Sequence, residues 1–188
     1  MKIGLLFGTF DPIHLGHMQI GRSLFDAQLV DKIWFIITPC NPLKRDKKIS
    51  SIKDRFAMVS IALRKYTNFI ASDIEFNLES PNYTSTTLRH IKKTYSKDNF
   101  VVIMGSDNYS SISKWKDAKY ILDNFEICVY QRPGETVKLS GNTTYIPGKQ
   151  MDVSSSYIRN SLSLAGTKKL LDNKVLEYIN QNSLYQLK

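Results

Sequence analysis

Two of the chain's three histidines stand three residues apart in Gly8-Thr9-Phe10-Asp11-Pro12-Ile13-His14-Leu15-Gly16-His17, directly after an apolar run. Residues three apart share a helical face, so both imidazoles can reach one ligand. Ile3, Leu5, Leu6 and Phe7 read as a buried strand, Gly8 and Pro12 as a tight turn, and the segment from Gly16 as a helix. A helix start presents free backbone N–H groups that attract anions. Strand, glycine turn, helix start and paired imidazoles together lay out a phosphate site more readily than a turn with two incidental histidines.

A second group of polar residues lies late in the chain, at Val153-Ser154-Ser155-Ser156-Tyr157-Ile158-Arg159. Serines before a helix either cap its backbone amides or donate to phosphate oxygens, and Arg159 follows about one turn later. In isolation the capping reading is as good as the ligand reading. A third group, Gly105-Ser106-Asp107, ends an apolar run. A glycine there lets a nucleotide approach the backbone, and Asp107 either accepts from ribose hydroxyls or caps the next helix.

The elements that must position these groups alternate. Apolar runs predict strands at 2–7, 33–38, 69–72, 100–104 and 125–130, with a short one at 144–146. Between them run helical stripes: Ile20, Leu24 and Ala27, then Ile52, Phe56, Val59 and Leu63, and finally Leu171, Val175 and Ile179. This order predicts an α/β fold, a Rossmann-like doubly wound parallel sheet, with the last helices packed on one end. With no repeat or linker, residues 1–188 form one expected domain. Long polar loops at 39–51 and 131–141 follow the second and fifth strands, on the side where open α/β sheets bind ligands.

The net charge is +9, yet Lys44, Arg45, Lys47 and Lys48 form the one dense basic cluster. A phosphate-rich small substrate accounts for this charge as well as a nucleic acid does, and no stable nucleic-acid partner is expected. No stretch approaches membrane-spanning length and no signal peptide is expected, so a cytoplasmic location is. Cys40 and Cys128 lack partners at metal-ligand spacing and read as structural residues. Trp34, inside an apolar strand, reads as packing.

The early and late groups resemble the motifs of the nucleotidylyltransferase family, Gly-x-Phe-Asp-Pro-x-His-x-Gly-His and Ile-Ser-Ser-Thr-x-x-Arg, across nearly the whole chain. More narrowly, Asn82-Tyr83-Thr84 leading to Thr87-Leu88, and Gly105-Ser106-Asp107 through Lys114-Trp115, resemble segments of the bacterial nicotinate mononucleotide adenylyltransferases. The resemblance implies adenylyl transfer from ATP to nicotinate mononucleotide. Gly8, Thr9, Phe10, His14, His17, Gly105, Asp107, Ser155, Ser156 and Arg159 would then bind ATP, with His14, His17, Lys44 and Arg159 as the catalytic group. Tyr83, Thr84, Trp115 and Lys44 would hold the acceptor, Trp115 by stacking on the pyridine ring. Mg2+ would arrive with ATP, since no carboxylate cluster offers a dedicated cage.

Several residues depart from that pattern. Phe7 stands where many members have glycine, Asn82 replaces serine, Ser156 replaces threonine, and Leu43 replaces a histidine before Lys44. Arg55 matches a commonly basic position and reads equally as a solvated surface residue, while His90 reads as exposed. The alternatives are another small-molecule adenylyltransferase, such as the phosphopantetheine enzyme, or a non-catalytic nucleotide- or RNA-binding module. Oligomeric state stays open.

Overall fold

The computed structural model describes residues 1–40, 49–131, 136–146 and 151–185. Six strands form one parallel sheet in the order β3-β2-β1-β4-β5-β6. They are β1 (Lys2–Gly8), β2 (Lys32–Ile37), β3 (Phe69–Ser72), β4 (Asn99–Gly105), β5 (Glu126–Tyr130) and β6 (Thr143–Tyr145). All six correspond to sequence-predicted runs. The central strands are apolar almost continuously because helices cover both faces. Gly4 of β1 is small for a reason of packing: a Cβ there would lie 2.8 Å from Cδ1 of Ile103 on β4.

On one face, α1 (Leu15–Asp26), α2 (Ile52–Leu63) and α8 (Asn173–Gln181) bury Leu24, Met58, Val59, Val175 and Ile179 against Leu6, Phe35 and Ile103. On the other, α3 (Thr84–Thr94), α4 (Ser106–Ser110) and α5 (Ala118–Asn124) bury Leu88, Ile91, Tyr109 and Ile121 against Leu5, Val102 and Val129. The C-terminal segment carries α6 (Ser155–Ser161), α7 (Ala165–Lys168) and α8. Here α8 packs beside α2, tied by Tyr178 Oη donating to Asp54 at 2.9 Å and by an Arg64–Asp172 ion pair at 2.9 Å.

Two predicted stripes shift in detail. Ala27 is the exposed C-cap of α1 and lies outside its buried face, because the helix stops at Asp26. In α2 the buried seam begins at Arg55, with Ile52 and Phe56 half-buried at its margin. Cys40 and Cys128 are free thiols, and among the described residues no helix is long and apolar enough to cross a membrane.

The chain winds from β1 outward through β2 to β3, then returns through α3 to β4 on the opposite side of β1. The strand order therefore reverses between β1 and β4. Loops leaving the carboxyl ends of these two neighbours diverge to opposite faces and open a crevice between them.

Candidate active site

That crevice is a cleft of about 490 Å3, bordered by the β1–α1 turn, the start of α4, the end of β5 and the segment leading into α6. Its size suits a small-molecule ligand, for which about 300–1,000 Å3 is usual. The turn that forms its floor differs from a simple glycine bend. β1 runs through Gly8, and the left-handed residue is Phe10, with φ 49°. A non-glycine there costs on the order of 1 kcal/mol and persists only when packing holds it. Phe10 is held: its ring is buried, 5.9 Å from Phe35 and edge-on to His17 at 5.0 Å. Gly8 makes room for this ring, since a Cβ at Gly8 would lie 2.7 Å from it.

His14 is the N-cap of α1 and is buried. Its backbone N–H donates to Nδ1 of His17 at 3.3 Å, and the two imidazoles stack with centroids 3.7 Å apart and planes 25° from parallel. Accepting at Nδ1 places the proton of a neutral His17 ring on Nε2, and His17 borders the cleft. Gly16 is again set by proximity: a Cβ would fall 2.6 Å from Val153 and 3.0 Å from the His14 ring. The early and late motifs therefore meet at this glycine.

Two further contacts join those motifs, and a third fixes Arg159 within the late one. Ser155 Oγ donates to the Pro12 carbonyl at 2.9 Å, Arg159 Nη1 donates to the Asp11 carbonyl at 2.6 Å, and Arg159 Nη2 donates to Ser156 Oγ at 3.2 Å. Ser154 is the actual cap of α6, accepting from Tyr157 N at 3.2 Å. The capping and ligand readings of the serine run are thus divided among its members. With its side chain 23% exposed, Arg159 keeps part of its guanidinium at the cleft. Gly8, Thr9, Phe10, His14, His17, Asp107, Ser155, Ser156 and Arg159 all border this one space.

Gly105 sits one step back, at the end of β4 opposite Tyr130, and is the N-cap of α4. Asp107 is exposed in the first turn of α4 and is not its cap. Lys44, with Leu43 and the rest of the basic cluster, lies outside the described residues.

Arg55 corrects the sequence reading most sharply. It is 1% exposed and donates to four carbonyls: Ser50 at 3.2 Å, Thr9 and Thr38 each at 2.8 Å, and Pro39 at 3.3 Å. Burial lowers the pKa of its guanidinium, while the nearby charge of Asp11 raises it. This side chain ties the ends of β1 and β2 to the start of α2. Asn82 is likewise buried and structural, accepting from Cys40 N at 3.2 Å and donating to the Glu75 carbonyl at 3.1 Å. Glu75 is buried too; Thr87 Oγ1 donates to it at 2.6 Å, and burial pushes its carboxyl pKa up.

None of Tyr83, Thr84 and Trp115 borders the histidine cleft. They are nevertheless brought together beside it. Tyr83 is the N-cap of α3, without a side-chain cap bond, and Lys116 Nζ lies 4.5 Å from its ring centroid. Trp115 is half-buried against the α3/α4/α5 core, and its buried Nε1 has no hydrogen-bond partner among the described residues. Phe7, which packs on that same core, also borders the cleft and so links the two regions. Sequence reading missed Asp11, Ser50 and Tyr185: Asp11 is buried, and its Oδ1 accepts from Ser50 N at 3.3 Å and Tyr185 Oη at 2.6 Å.

A switch-point crevice floored by a histidine-lined helix start defines a nucleotide-handling α/β protein, and the chain belongs to the cytidylyltransferase-like family, whose model matches residues 5–161. Its curated relatives carry a more particular name. A probable nicotinate-nucleotide adenylyltransferase of Flavobacterium johnsoniae is 40% identical, covering 99% of this chain and 100% of that one. One of Cytophaga hutchinsonii is 36% identical over 94% of each. Among solved structures, Plasmodium falciparum nicotinic acid mononucleotide adenylyltransferase complexed with NaAD matches with a TM-score of 0.83 at 21% identity, covering 98% and 97% of the two chains. That likeness establishes the shared fold.

Proposed function

We propose that the protein transfers the adenylyl group of ATP to nicotinate mononucleotide, giving nicotinate adenine dinucleotide and pyrophosphate. The observation that carries this reading is the convergence of His14, His17 and Arg159, from both ends of the chain, on one cleft at the start of α1. The relatives' shared name supports the choice of acceptor.

In this reading the triphosphate lies across the β1–α1 turn. A phosphate oxygen of nicotinate mononucleotide attacks the α-phosphorus in line, a P–O bond forms, and the bond to the β-phosphate bridging oxygen breaks as pyrophosphate departs. The attacking oxygen is already ionised, so no general base and no covalent enzyme intermediate are required. Catalysis is then positioning and charge stabilisation. His17 Nε2–H and the first-turn amides of α1 face the developing charge, and Arg159 offers a planar pair of donors to phosphate oxygens. Lys44 is a further candidate cation by its place in the sequence. Mg2+ enters as part of MgATP, the substrate, held by phosphates and water.

The acceptor's ring carries a carboxylate, for which the start of α3 at Tyr83 and Thr84 offers backbone donors, while the half-buried Trp115 indole offers a face for the pyridine ring. Both substrates are phosphorylated metabolites, which supports a cytoplasmic setting. The test is pyrophosphate release from ATP with nicotinate mononucleotide, nicotinamide mononucleotide or phosphopantetheine as acceptor. Release with the first, and formation of the matching dinucleotide, is expected; release with phosphopantetheine alone would overturn the assignment.

A further inference from the structure

The chain beyond α8 returns to the β1–α1 turn. Ser183 and Tyr185 adopt left-handed backbone, φ 51° and 61°, which reverses the chain at the end of the helix. Such backbone persists where surrounding contacts fix it. Those contacts are present: α8 is pinned to α2 by Tyr178–Asp54 and Arg64–Asp172, and the Tyr185 hydroxyl also lies 3.9 Å from Met58 Sδ. The hydroxyl donates to Asp11 Oδ1 at 2.6 Å across 174 residues of sequence.

Asp11 is the junction of this arrangement. Its carboxylate is 2% exposed, with Oδ1 shared by Tyr185 and Ser50 N, and with Oδ2 only 3.7 Å from Arg159 Nη1. The same arginine nitrogen donates to the Asp11 main-chain carbonyl at 2.6 Å. The phenol and the guanidinium therefore compete for one buried negative charge. Burial, then the charge of Asp11 and the bond to it, push the Tyr185 pKa up, so it stays a donor throughout the neutral range.

We propose that Tyr185 is a positioning residue for the ATP half of the reaction: by satisfying Asp11 it keeps the Arg159 guanidinium on the main-chain carbonyl, with its remaining donors turned toward phosphate. Without the hydroxyl, a buried carboxylate loses its shortest donor, and Arg159 is the neighbouring cation able to close a gap of 3.7 Å. Arg159 then folds onto Asp11 and withdraws from the triphosphate. This inference rests on the adenylyl-transfer reading for its kinetics, but its structural core concerns ATP binding alone.

Tyr185→Phe removes the hydroxyl and keeps the ring in its packing. The expected result is a rise of about tenfold in the Kd of a non-hydrolysable ATP analogue, measured by calorimetry, and a like rise in KM for ATP. KM for nicotinate mononucleotide should stay within about twofold. A double-mutant cycle sharpens the test: in an Asp11→Asn background there is no charge to trap Arg159, so Tyr185→Phe should add no further loss of analogue affinity. Unchanged analogue affinity in Tyr185→Phe, or equal losses for both substrates, would overturn the proposal. If the unmodified protein binds the analogue yet releases no pyrophosphate with nicotinate mononucleotide, the reaction assignment fails while the binding comparison still decides the role of Tyr185.

Discussion

His17 Nδ1 accepts the backbone N–H of His14 at 3.3 Å, and the two rings lie 3.7 Å apart. One nitrogen of His17 therefore caps its own helix, which places the proton of the neutral ring on the other. His17→Ala should lower kcat/KM about 100-fold to 1,000-fold, the usual loss for one preorganised donor to a transition state. Two amide variants separate the roles. Asn places its carbonyl near Nδ1 and preserves the cap, whereas Gln reaches with its NH2 toward the position of Nε2. Gln should retain more activity than Asn; the reverse order in steady-state kinetics would make His17 a capping residue only.

Arg55 is a structural prediction instead of a kinetic one. Its four carbonyl partners come from the β1–α1 turn, the end of β2 and the residues before α2, so removal leaves buried acceptors unpaired at three places. Arg55→Ala should cost about 3 kcal/mol or more in unfolding free energy, read from urea midpoints. Arg55→Lys has one nitrogen where the guanidinium uses three, and should recover a minor share. A loss under about 0.5 kcal/mol, the size typical of a surface substitution, would contradict the assignment.

How legible these features were depends on the distance over which their partners act. The strands were plain because β1, β2, β4 and β5 are buried on both faces and so read as apolar runs, and the helix stripes of α2 and α8 repeat every three or four residues. The His14–His17 pair is a local spacing and was equally plain. Arg55 was ambiguous because an arginine at a helix start looks the same in sequence whether it meets water or carbonyls from segments as many as 46 residues away. Tyr185 carried no local signal at all. Gly8 was legible as necessary but for a different cause, since the ring it accommodates belongs to Phe10.

Glu75 supplies a dependence on pH. Its folded pKa is raised above the ordinary value of 4.5, first by burial, with the hydrogen bonds of Thr87 and Thr38 opposing. A raised carboxyl pKa means that the folded state binds more protons than the unfolded one. Its contribution is fully present below the unfolded pKa and is lost as pH rises through the folded value. Glu75→Gln keeps the shape without the titration. The variant should therefore gain stability relative to the parent as pH is taken from about 4.5 upward. Thermal melts of both proteins across that range check this; parallel curves would mean that Glu75 titrates alike in the folded and unfolded states.

Acceptor selectivity tests the region around α3. A carboxylate can accept two hydrogen bonds where the amide of nicotinamide mononucleotide presents donors to donors. Each mismatched group in a desolvated site costs about 1–3 kcal/mol, so the acid should be preferred at least about tenfold in kcat/KM. Trp115→Ala removes the aromatic face that would stack on the pyridine ring. It should weaken nicotinate mononucleotide binding and leave ATP analogue binding unchanged. Equal use of acid and amide by the unmodified protein would remove the carboxylate from this region.

The turn that holds the histidines is made among the first residues of the chain, yet it is braced by Arg159, 148 residues later, and Tyr185, 174 residues later. At a synthesis rate of about 5–20 residues per second, the second brace follows the first histidine by roughly 10–35 s. Strand β1 waits as well, because β4, one of its two neighbours, begins only at Asn99. A ribosome-bound chain therefore carries His14 and His17 without the contacts that brace their turn. The β1–α1 turn acquires its last side-chain braces only after translation of the segment that carries Tyr185.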